Sequence, residues 1–179
     1  LNGEKNIFNN FSKSTILRPS LVYSVDDNFT TNMMSLLSIL PFFPLYYEGK
    51  TKFTPIHVSE MADIILKIVD RNICSEVIEC VGPDVITFRE IIEKLLILID
   101  KKKILIPLPT IIAKINAYLL EKLPKPLITM DQLKLLKYDN VLSRENKSNF
   151  DLGIKSELKF EDEVKKYAYM WKKGGEYSK

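Results

Sequence analysis

Apolar and polar positions along this chain follow two rhythms, and each predicts a different kind of element. Residues 14–22 (STILRPSLV) are too densely apolar for a half-solvated strand and stop at Asp26-Asp27-Asn28. That pattern predicts a strand buried on both faces, as in a parallel sheet. Residues 2–11 ahead of it read as the end of a helix, which gives the helix-then-strand order of a doubly wound sheet. Helical spacing returns at Ser59, expected to cap a helix to about Asp70 with Met61, Ile64, Ile65, Ile68 and Val69 on one face. Residues 76–81 then read as a strand. Thr87-Phe88-Arg89-Glu90 is a capping box with Ile86 and Ile91 placed as a staple, and Ile91, Ile92, Leu95 and Leu96 mark its helix as well buried. Residues 103–107 read as a further short strand. Ile111, Ile112, Ile115, Leu119 and Leu123 recur at helical spacing until Pro124-Lys125-Pro126 ends the pattern. A second capping box at residues 129–132 opens a helix over 130–138. Phe160, Val164, Tyr167 and Trp171 line one side of a last helix, and 172–179 is a polar tail.

Composition narrows the class. With 179 residues, 46% apolar and 27% charged, the chain is long enough for one compact domain with a real core. No run of about 20 uncharged apolar residues exists, so no spanning helix is expected. The most apolar run, residues 36–47, is short, contains Pro41 and Pro44, and is read as core before surface. Formal charge is only +3, and lysines alternate with acids at Glu161, Asp162, Glu163, Lys165 and Lys166. This is a solvated surface, so no nucleic-acid partner is expected. Cys74 and Cys80 have no CxxC spacing and are expected to be buried free thiols in a reducing compartment. The opening residues Leu1-Asn2-Gly3-Glu4-Lys5 read as the middle of a helix, so the chain is expected to begin inside a larger protein.

Chemistry-bearing motifs are scarce. The sequence holds no GxGxxG or GxxxxGK[ST] phosphate cradle, no GxSxG elbow and no HExxH. His57 is the single histidine, which removes most Ser-His, Cys-His and zinc arrangements, and it is read as a hydrogen-bonded structural residue. Reductase chemistry needs a tyrosine acid/base with a lysine one helical turn later, where the ammonium lowers the phenol's pKa. Tyr46/Lys50 and Tyr118/Lys122 have that spacing. The first spans Gly49 and follows prolines; the second follows the last sheet strand and no dinucleotide-binding unit precedes it. Neither is expected to be catalytic.

Four segments in order carry a resemblance. They are Thr15-Ile16-Leu17-Arg18-Pro19-Ser20-Leu21-Val22-Tyr23 with Asp26-Asp27-Asn28-Phe29 behind it, Lys50 to Val58, Val81 to Glu90, and Leu127 to Val141. Together they resemble the atypical extended short-chain dehydrogenase/reductases. The branch most resembled holds the NAD(P)H-binding accessory subunit of respiratory complex I (alpha-subcomplex subunit 9 type) and its bacterial relatives. The resemblance covers nearly the whole chain and concerns the C-terminal part of that family. It implies an α/β fold: the C-terminal part of a doubly wound Rossmann-type sheet plus a mostly helical substrate-side lobe. The implied division is 1–24 as the end of the Rossmann domain, 25–171 as the lobe with the remaining strands, and 172–179 as the tail. The family's glycine-rich loop and Tyr-x-x-x-Lys pair would precede residue 1, the pair's helix continuing through Asn2-Gly3-Glu4-Lys5.

What the resemblance assigns here is a nicotinamide-side wall. Pro19, Ser20, Leu21 and Val22 would pack on the nicotinamide and offer backbone polar groups to its carboxamide, or else form an ordinary buried strand. The cofactor implied is NAD(P)(H), with an incomplete site in this chain. Two departures stand out: Ser24-Val25 replaces the family's Gly-Pro turn, and Ser59-Glu60 stands where an aspartate commonly caps the next helix. Three functions stay open. One is an accessory or assembly protein holding NAD(P)H without turnover among respiratory-complex subunits. Another is an active epimerase, dehydratase or reductase on a small-molecule substrate, such as a nucleotide-sugar, a lipid or a quinone. The third is a helical interaction domain that binds no nucleotide. Membrane contact is expected to be peripheral at most. The location expected is cytoplasmic or peripheral to the inner respiratory membrane, on the matrix side if eukaryotic.

Overall fold

The computed structural model describes residues 2–109, 112 and 130–178. The first half holds α1 (Asn2–Asn10), β1 (Ile16–Pro19), β2 (Val22–Tyr23), α2 (Thr30–Ile39), β3 (Phe42–Tyr46), β4 (Lys52–Phe53), β5 (Ile56–His57) and α3 (Val58–Asp70). The second holds β6 (Val77–Cys80), β7 (Ile86–Thr87), α4 (Phe88–Leu98), β8 (Ile104–Leu108), α5 (Met130–Leu135), β9 (Lys147–Ser148) and α6 (Phe160–Ala168). A single 3₁₀ turn follows β3 at Tyr47–Gly49, and another follows α6 at Tyr169–Trp171.

A parallel sheet in the order β1-β6-β9 carries the first part of the fold. Ile16 lies opposite Val77 and Pro19 opposite Cys80. Parallel strands cannot be joined by a hairpin, so a long crossover separates β1 from β6. The expected strand over 14–22 forms as two. After Pro19 the run changes partner: the Ser20 amide still donates to the Cys80 carbonyl at 3.0 Å, but the Leu21 carbonyl accepts from the Ile56 amide at 2.9 Å. β2 then pairs in parallel with β5. Nor is β1 buried on both faces. It stands at the sheet edge, α1 contributes no buried residue, and Ile16, Leu17 and Arg18 are half-buried while Pro19 is exposed. Arg18 reaches back to α1 through a two-pronged pair with Glu4, both contacts 2.8 Å.

The apolar interior divides in two. A smaller core under the sheet gathers Ile56, Ile64, Ile68, Ile78, Cys80 and Ile154. A larger one joins α2, β3, α4 and α6 around Met34, Leu37, Phe43, Leu45, Ile91, Ile92, Leu95, Val164 and Trp171. Tyr23, fully buried, belongs to the larger core and lies edge-on to both His57 and Phe160, with ring centres 5.3 and 5.0 Å away.

Several expectations hold. The capping box is present, with the Glu90 amide on the Thr87 hydroxyl at 3.2 Å and the Thr87 amide on the Glu90 carboxylate at 2.7 Å. Phe160, Val164, Tyr167 and Trp171 are all buried, and the residues expected as a strand over 103–107 form β8. Others need correction. α3 is capped by His57, whose ring nitrogen accepts from the Ser59 amide, so Ser59 sits inside the helix. Its buried arc is narrower than the periodicity implies, because Ile65 and Val69 are exposed. α5 stops at Leu135, where the Lys137 and Tyr138 amides turn back to carbonyls three residues earlier. Cys80 is buried as expected, but Cys74 is only partly so, and both are free. The polar tail folds back, with the Tyr177 ring 4.9 Å from that of Trp171. The helix expected over 111–123, apart from Ile112, lies outside the described residues, as does Thr129 of the second capping box.

β3 escaped the sequence reading. It forms a parallel ribbon with β8, Phe42 opposite Ile104 and Tyr46 opposite Leu108. Pro44 sits within β3, tolerated because a two-stranded ribbon leaves one edge free of ladder bonds.

Gly82, just after β6, donates its amide to the Thr54 carbonyl at 3.1 Å, and a β-carbon there would stand 1.7 Å from the Pro55 carbonyl oxygen. Gly82→Ala must displace backbone. It is expected to destabilise the chain by about 1–3 kcal/mol, read as a lower urea midpoint with unchanged slope.

Buried Glu79 on β6 accepts from the Ser143 hydroxyl (2.5 Å), the Ser143 amide (2.7 Å) and the Asn146 side chain (3.1 Å). Burial would raise its carboxyl, but these hydrogen bonds, with Arg18 nearby, outweigh it and hold the group below its ordinary 4.5. Its contribution is therefore present above that ordinary value and is lost as pH falls below it. Thermal unfolding of Glu79→Gln is expected to show a lower melting temperature at neutral pH and a weaker acid dependence than the parent chain.

Candidate nicotinamide-side wall

The partner change after Pro19 creates the feature that positions the candidate site. Open α/β sheets bind ligands outside the carboxyl ends of their strands, and Pro19 and Ser20 stand at the carboxyl end of β1. Pro19 ends β1 and is exposed; having no amide hydrogen, it gives up no ladder bond. Ser20 is buried. Leu21 packs toward the larger core and Val22 toward the smaller, as successive side chains of extended backbone must.

The Ser20 hydroxyl is engaged on both sides. It accepts the Thr54 amide at 3.0 Å and donates to the Asn140 carbonyl at 2.7 Å. Asn140 in turn gives its amide to the Lys52 carbonyl at 2.8 Å, and the Asp139 carboxylate accepts the Lys52 amide at 2.9 Å. With Gly82 on Thr54, one hydroxyl ties together residues from all four segments that carry the resemblance. Thr54, Gly82 and Asn140 were not singled out from sequence; the only signal for them was that the segments recur in a fixed order.

The nearby turn closes without the family's glycine. Ser24 donates its amide to Asp27 at 2.9 Å, and Asp27 also takes the Thr30 amide and hydroxyl, which starts α2. His57 holds the Ser59 hydroxyl at 2.7 Å and is structural, as expected. Glu60, also buried, accepts the amides of Glu157 (2.5 Å) and Leu158 (2.9 Å), which fixes the lead into α6. Tyr46 and Lys50 do not form a catalytic pair. Tyr46 is buried, its phenol pushed up to about 12 by desolvation, while Lys50 is exposed on Glu48 at 2.6 Å. Tyr118 and Lys122 lie outside the described residues. A cleft of about 560 Å³ opens beside Pro55 and Pro83, lined by Asp84, Glu90, Lys94, Lys159 and Glu161 among others. Lys94 and Glu161 neutralise each other across it at 2.5 Å. Among the described residues no group of acids, histidines and cysteines could hold a metal.

By fold, the chain is similar to about half of several Rossmann-type epimerases and dehydratases. A dTDP-glucose 4,6-dehydratase from Bacillus anthracis in complex with NAD superposes over 96% of this chain and 49% of its own, with TM-score 0.62 and 14% identity. A UDP-N-acetylglucosamine 4-epimerase from Bacillus cereus does so over 91% and 49%, with TM-score 0.57 and 11% identity. No family model matches the chain. By sequence the chain is similar to two mitochondrial complex I subunits. The mitochondrial NADH dehydrogenase (ubiquinone) 1 alpha subcomplex subunit 9 of Arabidopsis thaliana is 28% identical over 78% of this chain. The mitochondrial NADH-ubiquinone oxidoreductase 40 kDa subunit of Neurospora crassa is 29% identical over 85%. The chain spans only 38% and 40% of the length of these curated relatives. Among the described residues no helix is long and apolar enough to cross a membrane.

Ser20→Ala removes the hydroxyl and leaves the Thr54 amide and the Asn140 carbonyl without it. A loss of about 1–3 kcal/mol is expected, or a melting temperature lower by about 2–4 °C per kcal/mol. Differential scanning calorimetry measures it, with hydrogen exchange at Thr54 rising first.

Proposed function

We propose that this chain is the substrate-side part of an NAD(P)(H)-binding accessory subunit of respiratory complex I, in which the nucleotide is held without turnover. The observation that carries the reading is the similarity to two mitochondrial complex I subunits over most of this chain. Residues 1–24 then close the Rossmann domain, 25–171 form the lobe with the remaining strands, and 172–179 are the tail. Pro19, Ser20, Leu21 and Val22 would form the wall against the nicotinamide. They fit that role by shape: Pro19 is exposed at the strand end, while the Ser20 hydroxyl and the Leu21 carbonyl are already engaged. The wall therefore offers surface and fixed backbone, not a free hydroxyl. No phosphate-cradling glycine loop exists in this sequence, so these residues would bind one side of the cofactor only. NAD(P)(H), where it turns over, supplies a hydride; here it would act as a structural group. The partners would be neighbouring subunits on the matrix side of the inner membrane, with peripheral attachment.

Tagging the complete protein in its own cells tests this. Native electrophoresis of gently solubilised membranes is expected to place it with complex I, and acid release is expected to yield equimolar nicotinamide nucleotide. Migration as a free protein that oxidises or reduces the nucleotide with nucleotide-sugar substrates would overturn the proposal.

A further inference from the structure

The β3–β8 ribbon has one face turned inward and the other left partly bare. Phe43 and Leu45 enter the larger core, and Leu105 packs against it. On the opposite face the carboxyl end is covered, because Tyr46 and Leu108 pack with Met130, Leu133 and Leu136. The amino end of that face is not. Phe42 and Ile104, directly opposite each other, are 52% and 70% exposed, and Ile106 is 38% exposed. Ile39, at the end of α2 just ahead of Phe42, is 55% exposed.

Lys101-Lys102-Lys103 leads directly into Ile104. Among the described residues none of the three pairs with an acid, and Asp100 is the single acid in that turn. Bare apolar side chains beside unneutralised lysines match the two layers of an anionic lipid surface. The apolar groups enter the headgroup–acyl boundary while the ammonium groups meet phosphate, and the lysine stems add apolar contact of their own. A neutral protein surface would satisfy the isoleucines but not the charge.

We propose that this end of the ribbon, Phe42, Ile104 and Ile106 with Lys101 to Lys103, is a peripheral docking face for anionic phospholipid. It is separate from the Ser20 wall and does not depend on whether a nucleotide is held there. The whole chain is mixed with phosphatidylcholine vesicles, or with phosphatidylcholine–phosphatidylglycerol vesicles, and floated on a density gradient. Flotation is expected only with the anionic vesicles and is expected to fall as salt rises. K101E/K102E/K103E should weaken partitioning by roughly a hundredfold or more, and I104N/I106N by at least about tenfold. Melting curves of both variants should match the parent, since the changed side chains are largely outside the core. Equal recovery with neutral vesicles, or retention by the lysine variant, overturns the proposal. So does a parent chain that never floats; if it instead self-associates through Ile104 in light scattering, the face is a protein contact.

Discussion

One extended run serving two parallel partners is the constraint on which this fold turns. β1 can lie beside β6 only if the chain makes a long crossover, and β2 can lie beside β5 only if that crossover itself returns to the same place. Both demands meet within two residues of Pro19. The Ser20 hydroxyl reconciles them by bonding one loop from the crossover and another from the far end of the chain. Gly82 permits the loops to touch, because any larger residue would overlap the Pro55 carbonyl. The two cores are then held in fixed relation through Tyr23, which leaves one sheet and buries itself in the other body of the molecule.

Elements whose cause is local were legible in the sequence. α4 announces itself by its capping box and α6 by four apolar residues at helical spacing; α6 is also well matched to its dipole, with acids in the first turn and lysines in the last. β3 was hidden by Pro41 ahead of it and Pro44 within it, and α2 by a threonine- and asparagine-rich start whose first amide is bonded by Asp27, outside the helix. The degree of burial was misjudged for β1 and α3 because density of apolar residues says nothing about how many neighbours a strand or helix acquires. The candidate site was half visible. Residues 19–22 stood out through the resemblance, whereas the bonds that define their surroundings join residues 34 and 120 positions apart, for which no local pattern exists.

Buried carboxylates in this chain act as backbone organisers. Glu60 gathers two successive amides ahead of α6, and Glu79 gathers the loop before β9. Each converts an otherwise irregular return of the chain into a fixed one by satisfying amide donors that burial would leave bare. The segments ahead of α6 and β9 are thereby fixed by hydrogen bonding as well as by apolar packing.

Trp171 is the single tryptophan of the sequence. Its indole N–H donates to the Ser35 hydroxyl at 2.9 Å, tying the last helical turn to α2, while the Tyr177 ring covers it from the tail. The molecule thus carries its one indole where α2 meets the C-terminal segment. Emission from that indole reports, without any label, whether α2 and the C-terminal segment are packed on each other.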